Sequence, residues 1–550
     1  MSRTMTKPFN EIDRLTMPDG SMLSRTTVLG AIERHERADV TRMRLLWEYY
    51  RNPMSAGSHS ASFRHGRAYA LGQERGLPAR VTGSWDRRLP AARFAGDERT
   101  WQRKEIVVEN DIAWRVQTMV DFMFGRPLTI ASTAADPELR RKIERVLEAV
   151  WESSGGIGLM QDMGLMGHVY GHVDLIVRAS ANGAAATPRG PLGVGGEGGD
   201  GEGVGTIGER AVGNVRIELI EPPRGVALPS ESDYRELDGY IIRTQRESRE
   251  ERASRPGPTL AGTLMRWWKG GESPGAERPS TPGEILTTTE VFAGSSRQLY
   301  QTGADGTTRL IDEGPGLVAD RAGDRPPIVH IQNISQPFEY AGIGEVEPLI
   351  PLQDELNTRL SDRAARVTMQ SFKMYLAKGL EGAAAMPIAP GVIWATDNAD
   401  AQVTAFGGDA ASPSEDRHID EIREAMDKAS AVPPLASGVV RAKIGNLSSE
   451  NALRITLLGL MSKTSRKRIT YGRGIVAASR LVLEALDRLV ILRTTEAERG
   501  LRIDWIDPIP RDEQLALLAA QKKVELGVPR ERVLSELGYA SDEAADTAID

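Results

Sequence analysis

The sequence predicts an α+β protein, predominantly helical, and three observations carry that reading. Several windows place apolar residues three or four apart between capping and stop signals. Short β-branched runs bounded by glycine crowd the stretch from about residue 167 to residue 311. One long polar helix, 344–376, follows them. No internal period is present, which disfavours solenoids and propellers. A chain of 550 residues has room for roughly two to four domains and a substantial core.

The first helical pattern spans Thr26–Tyr50 and ends in Leu45, Leu46, Trp47, Tyr49 and Tyr50, before Asn52-Pro53 stops it. A basic, irregular, glycine-containing stretch follows. A second helix covers Asn110–Phe124, with Ile112, Val116, Met119, Val120 and Met123 on one side, and Gly125-Arg126-Pro127 ends it. Asp136-Pro137 opens a third that runs through Leu147 to Trp151, because Asp caps well and Pro is tolerated in the first turn. Gly167–Val177 and Val215–Ile220 read as strands. The glycine-rich insert between them, about 181–210, reads as a surface excursion without a fixed conformation. Gly239–Thr244, Glu284–Phe292, Arg297–Thr302 and Thr308–Ile311 add strands, so the chain to about residue 340 reads as helices followed by an antiparallel sheet.

In the long segment 344–376, Leu349, Leu352, Leu356, Leu360, Ala364 and Val367 share one narrow face. Asp354, Arg359, Asp362, Arg363 and Arg366 lie elsewhere on its surface. At 1.5 Å per residue it would run roughly 45–50 Å, and so little apolar surface on so long a helix suits packing against neighbouring helices. Two short apolar runs, Val392–Trp394 and Val403–Phe406, follow and could pair as a hairpin. A returning helix starts at Ser414 and stops at Pro433-Pro434, leaving a protruding helix, β unit and helix. After a Gly- and Ser-containing loop, 435–449, a second very long helical pattern runs from Glu450 to about Thr494, with a bend expected at Gly472 and Gly474. Arg511–Tyr539 reads as two helices around Gly527-Val528-Pro529.

Composition removes several function classes. A formal net charge of -7 disfavours a protein that coats nucleic acid by neutralising phosphates, although it permits DNA to slide past ungripped. The absence of cysteine excludes disulfides, thiolate nucleophiles, Cys-ligated zinc and iron–sulfur clusters. The N-terminal MSRTMTKPFNEIDRL lacks the apolar run of a signal peptide, and no window approaches the roughly 18–20 apolar residues of a membrane span. Synthesis inside a cell, without membrane anchoring, is the expectation.

No constellation for catalysis stands out, and no cofactor or metal is expected. His168 and His172 have the spacing of two zinc ligands on a helix, but the position a metalloprotease gives to Glu is Val169, and no third ligand is evident. Gly193–Gly205 lacks the Gly-Lys-Ser/Thr ending of a phosphate loop. No Ser sits in a G-x-S-x-G setting. The basic run Lys463, Arg466, Lys467, Arg468 and Arg473 reads first as a solvated helix face and second as a contact with a neighbouring subunit or DNA. Arg441 and Lys443 precede it in the loop. The C-terminal helix pair has the spacing of a helix-turn-helix but lacks a basic second helix, so a packing role is favoured.

The order of these blocks resembles the portal proteins, or head-to-tail connectors, of tailed bacteriophages, especially the group similar to the portal of siphophage SPP1. LLWEYYRN, NDIAWRVQTMVDFMFGRPLTI, IVHIQNISQPFEYAGIGEVEPLIPLQDELNTRLSDRA, NLSSENALRITLLGLMSKTSRKR and DEQLALLAAQKKVELGVPRERVLSELGY carry the resemblance. Each is loose alone, and their shared order over most of the chain is the specific signal. The glycine-rich insert and the segment near 250–283 depart from the family pattern, and Ser448-Ser449-Glu450 stands where many relatives show Ser-Gly.

The resemblance implies a wing at 1–343, stem helices at 344–376 and 413–431, a clip at 377–412, a tunnel loop at 432–449, a long kinked helix returning to the wing at 450–500, and a crown at 501–550. It implies a ring of about twelve subunits at one capsid vertex. Through that ring the terminase large subunit would pump double-stranded DNA, held non-specifically, and the genome would later leave. Major capsid and scaffold proteins and a head-completion adaptor are the implied partners. The implied place is the portal vertex of the virion, reached from the host cytoplasm during assembly. Tunnel-loop candidates are Arg441, Lys443 and Asn446, with Lys463, Arg466, Lys467 and Arg468 on the helix behind. Leu349, Leu352, Leu356, Leu360 and Val367 are the stem packing candidates, and Val392, Trp394, Val403 and Phe406 are the clip candidates. The competing readings are another virion structural protein, such as an adaptor or scaffold, and a DNA-processing hydrolase.

Overall fold

Capping chemistry sets the first boundaries in the computed structural model, which describes most of residues 15–56, 69–82, 105–180, 204–247, 285–317, 325–378, 402–434, 450–509 and 513–534. Helix α1 (Arg25–Arg34) starts at Ser24, whose hydroxyl accepts from the Thr27 amide. It continues through a wider π-type turn, His35–Val40, into α2 (Thr41–Arg51), and Asn52 in the left-handed region ends the run. Strand β1 (Met54–Ala56) pairs antiparallel with β2 (Tyr69–Leu71), and a short helix α3 (Ala79–Thr82) precedes α4 (Asp111–Phe124), which is capped by Asn110. Asp136 accepts from the Glu138 and Leu139 amides to open α5 (Pro137–Ser153), with Pro137 in the first turn. Each of these caps satisfies amides that the first turn of a helix leaves without partners.

Helix α6 (Gly156–Tyr170) departs from the sequence reading, which began a strand at Gly167. The helix persists to Tyr170, and Gly171 at φ 93° turns the chain into β4 (His172–Ala179). A Cβ at Gly171 would lie 2.2 Å from the Gly342 oxygen, so that crossing requires glycine. The C-terminal end of the expected insert also differs. Val204–Asn214 form helix α7, which buries Ala211 against α5 before β5 (Val215–Ile220); residues 181–203 lie outside the described residues.

Strand β11 (Ile328–Gln332) pairs with β4, and β4 with β5, all antiparallel. A second antiparallel sheet runs in the order β10 (Thr308–Pro315), β9 (Ser296–Thr302), β8 (Ile285–Ala293), β7 (Leu237–Glu247), β6 (Gly225–Pro229). Arg178 on β4 joins the two, donating to both carboxylate oxygens of Glu290 on β8 at 2.8 Å and to Glu218 at 2.6 Å. Such bidentate arginine pairs fix geometry as well as charge.

The largest core packs α5 and the long C-terminal helix on the three-stranded sheet, through residues such as Leu147, Trp151, Leu175, Ile475 and Leu483. That long helix divides at Leu457 into α10 (Glu450–Thr456) and α11 (Leu458–Arg488), which follow α8 (Ile350–Ser371) and α9 (Pro413–Ser430) in the chain. Helix runs without interruption through Gly472 and Gly474, and it ends before Thr494. Gly474 serves close packing instead, since a Cβ there would lie 2.3 Å from Ile331 side-chain carbons. Strand β14 (Leu501–Asp504) then pairs with β3 (Thr129–Ser132), and α12 (Glu513–Glu525) follows.

Candidate functional site

The candidate site is the protruding unit and the buried junction at its base. Helix α8 (Ile350–Ser371) leads into β12 (Met374–Lys378), which pairs antiparallel with β13 (Gln402–Phe406). Helix α9 (Pro413–Ser430) returns beside α8. In register Phe406 lies opposite Met374 and Val403 opposite Ala377, while the expected pairing of β13 with Val392–Trp394 falls on residues outside the described ones. Val392 and Trp394 lie outside the described residues, as do Arg441, Lys443 and Asn446.

The base of α8 is fastened within its own chain. Leu349 and Leu356 are buried, Leu352 and Leu360 are partly buried, and all four join one cluster with Ile419, Ile422 and Met426 of α9. Beside this stripe runs a row of buried polar residues at four-residue spacing: Gln353, Asn357 and Ser361. Gln353 Oε1 accepts from the Asp111 and Ile112 amides at the start of α4 (3.1 and 3.3 Å), while its Nε2 donates to the Glu109 oxygen at 2.5 Å. Asn357 accepts from the Glu109 amide at 2.9 Å and donates to Gln73 at 3.1 Å. Ser361 accepts from the Val107 amide at 3.0 Å. A short extended segment of backbone is thereby zipped along the helix by two side-chain amides and the Ser361 hydroxyl.

The narrow apolar face therefore needs no neighbouring subunit near its base. Further along, exposure rises, and Val367 is 40% exposed. There the two helices are tied by ion pairs of Arg366 with Glu415 and of Arg363 with Asp416.

Beneath this unit lies Glu345, only 3% exposed. Its amide donates to the His168 oxygen at 2.7 Å, and its carboxylate takes Lys463 at 2.5 Å and Lys467 at 2.7 Å. Lys463 also donates to the oxygen of Ser430, the last residue of α9, at 3.0 Å. Burial opposes charge on Glu345, but Lys467 and Lys463 outweigh it and hold the carboxyl down to about 2. Burial pulls Lys467 down to about 8 against the attraction of Glu345. Burial, with Lys467 nearby, drives His168 down to about 3, so its imidazole is neutral at physiological pH. Arg115, itself 1% exposed, clamps the end of α9 through Ser430 (2.9 Å), the Val432 oxygen (3.0 Å) and Asp427 (2.7 Å).

The basic run thus does not form one solvated face. Lys467 is buried and Lys463 nearly so, Arg468 lies over the Trp505 ring at 5.1 Å, and Arg466 is exposed. The sequence reading missed Glu345, Gln353, Asn357 and Arg115, although the four-residue spacing of Gln353, Asn357 and Ser361 was visible. His168 and His172 are both buried and separated by the helix-to-strand turn. Among the described residues no group of His, Cys, Asp and Glu could hold a metal ion.

This ordered unit of helix, β pair and helix, with the junction beneath it and the long helix behind it, lies within a stretch, residues 318–548, that matches the family described as phage portal protein, SPP1 Gp6-like. The chain is similar to the SPP1-like phage portal proteins. That family is structural rather than enzymatic. Two solved structures are similar to the chain at 12% identity. One is the virion of a native gene transfer agent particle, with 78% of this chain and 89% of that chain covered at a TM-score of 0.39. The other is the neck of an empty gene transfer agent particle computed with C6 symmetry, covering 78% and 90% at 0.40. At these TM-scores the likenesses carry no weight for function. No curated protein matches the chain.

Proposed function

We propose that the chain is the portal subunit of a phage or phage-like particle. In this reading a closed ring of about twelve copies sits at one capsid vertex, admits DNA driven by terminase, releases it later, and joins head to tail through an adaptor. The observation that carries the reading is the unit α8, β12–β13, α9 inside the matched stretch, anchored at its base and more exposed further along. An anchored protrusion suits a surface that other copies and partners grip, because heterologous contacts that close make rings.

In this assignment 1–343 is the wing, 344–376 and 413–431 the stem, 377–412 the clip, 432–449 the tunnel loop, 450–500 the long helix and return, and 501–550 the crown. Val367 would pack between copies, and Val403 and Phe406 would sit in the clip. Arg441, Lys443 and Asn446 would face passing DNA. Charge reversal at Arg441 or Lys443 is expected to slow or leak packaging while rings still form; unchanged DNA retention in a packaging assay would remove the loop from the channel. The test of the whole reading is negative-stain microscopy with native mass of the purified chain. Rings with a central hole support it, and a monomer or dimer at high concentration overturns it.

A further inference from the structure

Helix α11 carries Arg466, Arg473 and Arg480 at seven-residue intervals, roughly 10 Å apart along one side. All three are exposed, and among the described residues none has a carboxylate partner; Arg480 reaches only the backbone oxygen of Arg499, at 3.3 Å. Some exposed helical arginines are neutralised locally, as Arg37 is by Glu33 and Arg417 by Glu421, whereas these three line up on one side without such partners. Along this side runs an open groove of about 1020 Å³, lined by Arg473 and Arg480 and floored by Val476, Leu481, Ile503 and Trp505. Phosphates alone would engage the arginines and leave the apolar floor wet. A peptide carrying both carboxylates and apolar side chains satisfies both.

We propose that this groove receives the C-terminal segment of the chain itself, residues 535–550, SELGYASDEAADTAID. It holds Glu536, Asp542, Glu543, Asp546 and Asp550 with no lysine or arginine, and Leu537, Tyr539 and Ile549 supply apolar side chains. Of the other stretches outside the described residues, 83–104 and 435–449 carry more basic than acidic residues, and 181–203 and 379–399 each carry an excess of only two acidic residues against five here. Fully extended, the segment reaches roughly 50 Å beyond Leu534. Docking would shield the arginine row and cover the floor at once. The inference is independent of ring closure, since the segment can lie on its own chain or on a neighbouring copy.

Because the chain has no cysteine, introduced pairs report contact cleanly. The full chain carrying Val476→Cys and Ala544→Cys is oxidised and its cross-link followed by gel mobility, with Glu33→Cys and Ala544→Cys as the remote control. The groove pair is expected to close much faster than the control. A monomer-sized product means docking on the same chain, and a doubled mass means docking on a second copy. Adding Arg473→Glu and Arg480→Glu should slow closure roughly tenfold, and high salt should slow the parent pair as well. Closure no faster than the control, or indifferent to both charge reversal and salt, overturns the proposal. Native mass of the same samples reads ring formation separately, so failure of one reading is distinguishable from failure of the other.

Discussion

Replacing Glu345 by Gln tests whether the junction beneath the protruding unit is held by charge. In the native protein Glu345 and Lys467 are 3% and 2% exposed, 2.7 Å apart, with Lys463 completing the cluster at 2.5 Å. The amide keeps the shape but leaves two ammonium groups facing each other, one fully buried. Breaking a buried pair by removing one partner costs about 3–5 kcal/mol, a fifth or more of the roughly 5–15 kcal/mol stability of an ordinary domain. Urea denaturation would read this as a fall in midpoint at unchanged slope. The double variant Glu345→Gln/Lys467→Met should recover part of the loss, because it removes the stranded charge along with its partner. A loss below about 1 kcal/mol for Glu345→Gln, or a double variant no better than the sum of the singles, would refute an ionic junction. The pH dependence has a defined sign. The folded carboxyl lies near 2, below its ordinary 4.5, so its contribution is full above about 4.5 and is lost as pH falls toward 2. Lys467 is also lowered, from 10.5 to about 8. Its burial therefore costs stability below about pH 8, and that cost is relieved as pH rises toward 10.5. Glu345→Gln should flatten the acid limb of the stability curve.

Gly474→Ala should destabilise by about 1–3 kcal/mol, because its Cβ meets Ile331, while Gly472→Ala, whose nearest neighbour is 3.7 Å away, should be neutral or gain up to about 1 kcal/mol of helix propensity; equal losses in thermal denaturation would contradict the packing role of Gly474. Asn357→Leu strands the Glu109 amide and should cost about 1–3 kcal/mol. Faster hydrogen exchange at that amide checks it, and unchanged protection contradicts the zipper. Arg115→Met leaves Asp427 and the end of α9 without their clamp and should cost about 3–5 kcal/mol; a loss confined to exchange protection near Ser430, with global stability intact, would show that the clamp acts locally.

Elements whose boundaries are set by neighbours in sequence were legible. Asn110, Asp136 and the Asn52-Pro53 stop act on backbone groups within a few residues, and the sequence displays them. What failed depended on distant partners. Gly472 and Gly474 look like helix breakers until Ile331 and Trp505 are placed against them. Gly167–Tyr170 looks strand-like because His168, Val169 and Tyr170 are apolar or ambivalent, yet they are buried on a helix. Periodicity also treats amides and lysines as exterior. It could not foresee that Gln353 and Asn357 would bond a backbone more than 240 residues away in sequence, or that Lys463 would meet a carboxylate 118 residues before it.

These failures bear on how the protruding unit works. Had its apolar stripe been unpartnered, contacts between copies would have to fold it as well as hold the assembly together. Instead Gln353, Asn357, Glu345 and Arg115 bind its base into the main body of the chain, so the entropy of ordering that base is met on folding. In the proposed ring, association would then draw on the more exposed length beyond Arg363, with the ordering cost of the base already removed, which is how pre-organisation raises affinity without new contacts. The same division predicts that changes at Val367 should weaken association more than folding, whereas changes at Gln353 should do the reverse. Thermal denaturation and native mass measured on the same two variants separate the effects, and a Val367→Asp variant that unfolds before it dissociates would refute the division.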